Sequence, residues 1–169
     1  IGALAALGGY AMQAGSRAVS AVREAISLPT PATPAPPIPA GAELGINGLA
    51  PVVTPNDRFY RIDTALRVPD LEPADWSLRI HGMVDREVTL TWDELLALPM
   101  VEHAVTLACV SNEVGGSLIG NAVWLGAPIR DLLAEAGPSA DADMVLSRSV
   151  DGWTASTPIE ALTDDRPSA

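Results

Sequence analysis

The chain is poor in the residue types that most often build metal and phosphate sites. Its 169 residues include one cysteine and two histidines, so an internal disulfide is impossible and a Cys/His zinc cage is unsupported. The patterns C-x-x-C, H-E-x-x-H, G-x-G-x-x-G and the Walker loop are absent. Zinc-peptidase, Rossmann and P-loop interpretations therefore lack their sequence signals.

Basic residues are also scarce. Ten Lys and Arg stand against 21 Asp and Glu, which gives a net charge of -11 at pH 7. A nucleic-acid partner requires a basic face for its phosphates, so the composition predicts no nucleic-acid partner. With 48% hydrophobic residues, the chain has enough apolar side chains for one globular domain with a core.

The N-terminal region predicts an anchor and a spacer. Residues 1–12 are small and apolar, and basic residues follow them, whereas a signal peptide carries its positive charge first. Because a bilayer span needs roughly 20 apolar residues, we interpret residues 1–25 as the end of a membrane-anchoring helix. Residues 26–47 are predicted to be a proline-rich linker, either extended as polyproline II or simply disordered.

The folded domain is predicted to cover residues 48–169 as an α+β structure of mixed sheets and short helices. Thr91 and Glu94 have the spacing of a capping box at the start of a helix. A helix is also predicted between Pro128 and Gly137, residue types that favour a helix start and a helix end. Strands are predicted at 60–68, 76–80, 88–90, 101–108, 122–125, 144–150 and 152–156.

Cys109 directly follows the predicted strand 101–108, and a polar, glycine-rich segment comes after it. Glycines there allow positive φ or the close approach of another group. No lysine or histidine lies on this loop, so activation of the thiol as a nucleophile is unsupported. A buried structural cysteine is one alternative. The other is a thiolate ligand to a soft metal whose remaining ligands come from a cofactor.

Three motifs, in this order, resemble the molybdopterin-binding domain of the sulfite oxidase family, and more closely its bacterial membrane-attached members. They are Thr-Pro-Asn-Asp-Arg-Phe-Tyr at 54–60, Trp-Ser-Leu-Arg-Ile-His-Gly-Met-Val at 76–84 and Thr-Leu-Ala-Cys-Val-Ser-Asn at 106–112. The resemblance implies a sulfite oxidase-type fold, incomplete at the C-terminus. It also implies molybdopterin as the cofactor, with the metal held by the cofactor dithiolene and by Cys109.

The resemblance implies further cofactor-binding residues. Asn56, Phe59 and Tyr60 match the family loop that contacts the pterin. Asn112, in the cysteine motif, and Ser149 are added as candidates for pterin contacts. The alternatives are ordinary roles: Asn112 would satisfy loop backbone groups, and Ser149 would be a plain strand residue.

Departures from the family pattern bear on the substrate. Sulfite oxidases continue the pterin loop with Arg-Asn-His and carry an Arg-Arg pair after the cysteine, whereas this chain has residues 62–64 as Ile-Asp-Thr and 113–114 as Glu-Val. A sulfite anion needs cationic groups. The resemblance implies oxygen-atom transfer on a small sulfur-oxide-type or S-oxide substrate, with molybdenum cycling between its VI and IV states. The missing cations shift the expectation from sulfite toward a neutral S-oxide.

The predicted anchor implies a location at the cell membrane, and the resemblance suggests the outer (periplasmic or extracellular) face. A haem or quinone electron partner is expected. Because the family takes further pterin contacts from a basic C-terminal half, the chain is expected to carry the metal ligand but not the whole site. The alternatives are a non-catalytic binding module on a truncated or decayed fold, and a thiol redox protein.

Overall fold

The computed structural model describes residues 25–62 and 71–164, and its strands pair as three antiparallel hairpins, β1–β2, β3–β4 and β5–β6. Short helices separate the hairpins, so the α+β prediction is confirmed. Most of the strand predicted at 60–68 lies outside the described residues. The elements in chain order are 3₁₀ turns at Asn56–Arg58 and Pro73–Asp75, β1 (Ser77–Ile80), β2 (Val88–Thr91), α1 (Trp92–Leu96), β3 (Val101–Ala108), β4 (Ile119–Gly126), α2 (Ile129–Ala136), β5 (Met144–Arg148), β6 (Thr154–Pro158) and α3 (Glu160–Thr163).

Helix boundaries follow local chemistry. The capping box before α1 is present, because the Thr91 hydroxyl accepts from the Glu94 amide at 3.3 Å and the Glu94 carboxylate accepts from the Thr91 amide at 2.8 Å. Helix α2 follows Pro128 and ends at Gly137, whose φ of 67° is in the left-handed region. Both predicted boundaries are confirmed.

The small core of the described part of the chain lies between α2 and the β1–β2 hairpin. Backbone amides of Asp85 and Arg86 donate to the carbonyls of Gly137 and Ala136, at 2.8 and 3.0 Å, and so tie the end of α2 to the approach to β2. These hydrogen bonds hold the apolar face of α2 against the hairpin. The buried apolar residues are Val88, Met100, Leu132, Leu133 and Ala136.

Part of the predicted linker lies against the outer edge of β3. Thr33 forms a parallel bridge with Val101, the Ala32 amide donates to the Met100 carbonyl at 2.8 Å, and the Glu102 amide donates to the Thr33 carbonyl at 2.9 Å. Proline has no amide hydrogen, so the pairing uses residues that stand between prolines. The domain boundaries themselves stay a prediction.

The predicted cell-membrane location is wrong. Within residues 25–62 and 71–164, no helix has the length and apolarity to cross a bilayer. Helix α2, the longest there, has 8 residues, whereas a span requires roughly 20. Residues 1–12, which motivated the prediction, lie outside the described residues.

Candidate functional site

Cys109 continues the β3–β4 ladder by one step. Leu107 pairs with Gly120 in the hairpin register, and the Cys109 amide donates to the Leu118 carbonyl at 2.9 Å. Side chains alternate between the two faces of a strand. Cys109 therefore belongs to the same face of the hairpin as Leu107 and Gly120.

The loop of residues 109–118 is held together by Asn112. Its amide donates to the Cys109 carbonyl, and its side-chain Oδ1 accepts from the Leu118 amide, both at 2.9 Å. A Cβ on Gly116 would lie 2.7 Å from that Oδ1, so a glycine is needed at this position. Asn112 thus satisfies loop backbone groups, which is the ordinary role considered for it from sequence.

The Cys109 thiol is half-buried, and Ser111 is its closest polar partner, with Sγ and Oγ 3.1 Å apart. Hydrogen bonds from the Ser111 hydroxyl, and next from the Ser111 backbone amide, lower the pKa of Cys109 below its ordinary value. The adjacent Val110 side chain is fully exposed. The sulfur is therefore not enclosed in hydrocarbon, and its surroundings favour the thiolate that binds metals.

An aromatic group covers the same face of the hairpin. A Cβ on Gly120 would lie 2.6 Å from Phe59 Cε2, so the ring rests directly on this glycine. Phe59 stacks on Tyr60 with ring centroids 5.5 Å apart, and it meets Trp124 edge-on at 5.6 Å. The structure thus brings Phe59 and Tyr60 to the face to which Cys109 belongs.

The loop that carries these aromatics is attached to the outer edge of β4 at Asn121. The Thr54 amide donates to the Asn121 carbonyl at 2.7 Å, and the Asn121 amide donates to Thr54 Oγ1 at 3.1 Å. Asn121 was not predicted as a site residue. No strong sequence signal pointed to it, because Asn121 precedes the strand predicted at 122–125 and asparagine is disfavoured in strands. Asn56, predicted from the same loop, is exposed at the start of the first 3₁₀ turn.

Ser149 lies in a different hairpin, in the connection between β5 and β6. Its hydroxyl donates to the Asp151 carboxylate, which also accepts from the Trp153 amide at 3.1 Å. The hydrogen bond from the Ser149 hydroxyl has the larger effect and that from the Trp153 amide the smaller, and both lower the pKa of Asp151 below its ordinary value. The Ser149 side chain is therefore part of its own turn.

Protein donors alone do not form a metal cage in the part of the chain that the structure describes. No group of three or more Cys, His, Asp and Glu side chains there is placed to hold a metal ion. Cys109 supplies a single soft sulfur, which suits a metal whose other sulfur donors arrive with an organic ligand. The donor set thus fits the molybdenum cofactor.

Comparison with known proteins identifies the same cofactor class. The family model described as oxidoreductase molybdopterin binding domain matches residues 65–167. Mitochondrial sulfite oxidase of Drosophila melanogaster is 37% identical over 125 residues, covering 64% of this chain and 21% of that protein. The uncharacterized oxidoreductase YuiH of Bacillus subtilis is 31% identical over 85 residues, covering 50% of this chain and 41% of that protein.

A solved structure agrees with the sequence comparisons. The sulfane dehydrogenase SoxCD from Paracoccus pantotrophus superposes with a TM-score of 0.61 at 25% identity, covering 70% of this chain and 34% of that one. The chain thus spans less than half the length of each of these three proteins. The finer likeness to membrane-attached members is not supported by them.

The predicted family, fold, cofactor and enzyme class are confirmed by these matches, which cover more than half of the chain. They do not identify the residues that hold the cofactor, so the individual site residues stay predictions. On the family match and the fold together, the chain belongs to the oxidoreductase molybdopterin-binding domain family.

Proposed function

We propose that this chain is the metal-ligating part of a molybdenum-dependent oxidoreductase, and that Cys109 is its protein ligand to the metal. The supporting observation is the position of the thiol. It stands one ladder step beyond β3, hydrogen-bonded to Ser111, on the face of the hairpin that Phe59 covers. When bound, the molybdenum cofactor supplies two-electron oxygen-atom transfer.

The other predicted residues have roles that suit their surroundings. Phe59 and Tyr60 present stacked rings, which offer a flat apolar surface to the pterin. Asn56 is exposed and offers its side-chain amide for hydrogen bonds. Asn112 stabilises the Cys109 loop through its Oδ1, so only its side-chain NH2 group is left to contact the pterin. Ser149 would reach a pterin only by leaving Asp151.

The substrate that we propose is a small sulfur-oxide-type compound, with an uncharged S-oxide preferred. The names of the Drosophila sulfite oxidase and of the sulfane dehydrogenase both denote sulfur substrates. Glu113 is exposed on the Cys109 loop where a sulfite-binding protein would need cations. A haem or quinone partner would supply the two electrons that reduction of an S-oxide consumes.

The decisive experiment is molybdenum and pterin analysis of the intact purified protein, wild type against Cys109→Ser. Val110→Ser is the matched control, because it introduces the same side chain at the neighbouring exposed position. We expect stoichiometric molybdenum in the wild type and the control, and its loss from Cys109→Ser. Absence of molybdenum from the wild type would favour a non-catalytic binding module instead.

Substrate assays test the finer part of the proposal. The loaded enzyme is given a neutral dialkyl S-oxide with a reduced viologen, or sulfite with an artificial electron acceptor. We expect turnover of the S-oxide to exceed that of sulfite. Preferential oxidation of sulfite would contradict the proposed substrate and leave the metal assignment intact.

A further inference from the structure

We propose that Asn121 is a positioning residue that fixes the loop of residues 52–60 to the β3–β4 hairpin and so sets Phe59 and Tyr60 relative to Cys109. The inference rests on the proposed function, because it concerns how the protein holds the pterin beside its metal ligand. Asn121 itself touches neither the metal nor the substrate in this proposal.

Asn121 uses both its backbone and its side chain for this attachment. Its backbone carbonyl and amide pair with Thr54, as described above. Its side-chain Nδ2 donates to the Val52 carbonyl at 2.7 Å. Its Oδ1 accepts from the Thr106 hydroxyl at 3.2 Å. The Thr106 hydroxyl thus orients the amide so that its donor side points at the loop.

These contacts connect the two halves of the candidate site. Thr106, which pairs with Asn121 across the ladder, lies three residues before Cys109 on β3. Gly120, the neighbour of Asn121, carries the Phe59 ring. The loop therefore has a polar attachment and an apolar attachment at adjacent residues of β4. A shift at either one changes the separation between the aromatic rings and the sulfur.

The residue type is specific to this role. Asparagine is disfavoured in strands, yet Asn121 is half-buried inside β4. Aspartate would place an oxygen against the Val52 carbonyl, and alanine would leave that carbonyl and the Thr106 hydroxyl unpaired. Asparagine suits this position because its Nδ2 donates to the Val52 carbonyl while its Oδ1 accepts from the Thr106 hydroxyl.

The test uses the intact cofactor-loaded protein and measures the rate at which pterin is released on dilution, by fluorescence of the oxidised pterin. Asn121→Ala, Asn121→Asp and Thr54→Val should release it about tenfold faster than wild type, the effect of losing one or two hydrogen bonds. Thr54→Ser keeps the hydroxyl that accepts from the Asn121 amide, so this variant should release pterin at the wild-type rate. Val123→Ala, on the same face of β4, is the matched control and should release pterin at the wild-type rate.

A second readout follows the loop itself. Hydrogen exchange of the amides in residues 52–60, measured on cofactor-free protein, should accelerate in the Asn121 variants and in Thr54→Val. Thermal unfolding of each variant separates local release of the loop from loss of the fold.

Three outcomes overturn the proposal. Faster loop exchange with unchanged pterin release shows that Asn121 is purely structural and leaves the proposed function standing. Equal release from Thr54→Ser and Thr54→Val removes the Thr54–Asn121 contact from the account. A wild-type protein without molybdopterin overturns this inference and the proposed function together.

Discussion

The β3–β4 and β5–β6 hairpins are both antiparallel pairs, but they differ in whether the side chain that follows the first strand is bound within the connecting loop. Residues 109–118 connect β3 to β4, whereas only residues 149–153 connect β5 to β6. Cys109, after β3, keeps a half-buried thiol with a hydroxyl beside it. Ser149, after β5, has its hydroxyl bound to the carboxylate of Asp151.

The difference lies in which side chain satisfies the connection. In the longer loop Asn112 accepts from the Leu118 backbone, so the residue at the strand end is not required for this purpose. In the shorter turn Asp151 holds both the Ser149 hydroxyl and the Trp153 amide. In these two hairpins, the side chain at the strand end is left for a ligand where Asn112 closes the loop, and is used by the turn where Asp151 does.

The two outer edges of the β3–β4 hairpin are also both contacted by earlier segments. Thr33 pairs with the start of β3, and Thr54 pairs with β4 at Asn121. These contacts cover part of the strand edges. They also fix the hairpin that carries Cys109 against residues far away in the sequence.

The largest expected difference between the hairpins is in cofactor retention. Cys109→Ser is expected to lose molybdenum. Ser149→Ala, in contrast, should keep the wild-type content of molybdenum and pterin, because the Ser149 hydroxyl serves its own turn. Metal and pterin analysis of the two intact variants checks this. Loss of pterin from Ser149→Ala would show that both hairpins contribute to one site and would break the contrast.

Glycine replacements should destabilise the hairpins for different reasons. Gly120→Ala forces the Phe59 ring to move and should cost about 1–3 kcal/mol. Gly152→Ala meets no atom within 4 Å but holds φ at 86°, and should cost about 1 kcal/mol. Urea unfolding gives both values.

The added substitution Phe59→Leu separates the two causes. A smaller side chain leaves room for the new Cβ on Gly120, so the double variant should be more stable than the sum of the single effects. The same change should not rescue Gly152→Ala. Additivity in both pairs would show that the ring does not press on Gly120.

Acid should weaken the β5–β6 hairpin by a smaller amount. The pKa of Asp151 is lowered in the folded protein, first by the Ser149 hydroxyl and then by the Trp153 amide. Its stabilising effect is therefore complete above the ordinary aspartate pKa and is lost as pH falls through the lowered, folded pKa. Asp151→Asn should show a shallower decrease of urea midpoint on acidification. An identical acid slope in both proteins would assign the decrease to other carboxylates.

Much of the fold was predictable because its signals are local. The strand predicted at 101–108 is β3, and the Thr91–Glu94 capping box starts α1 as expected. The strand predicted at 122–125 begins earlier, at Ile119. Gly120 and Asn121 look like loop residues by propensity, but they pair with Leu107 and Thr106. Tertiary pairing overrides propensity at these two positions.

The sequence by itself determined the helix caps, the strand that ends at Cys109 and the motifs that identify the cofactor family. Each of these depends on residues close together in the chain or on a short pattern. Only the tertiary structure decided that Asn121 holds the aromatic loop and that Ser149 serves its own turn. The reason is the range of the interactions. The bond from Asn121 to Thr54 joins positions 67 residues apart, and no local pattern specifies such a contact.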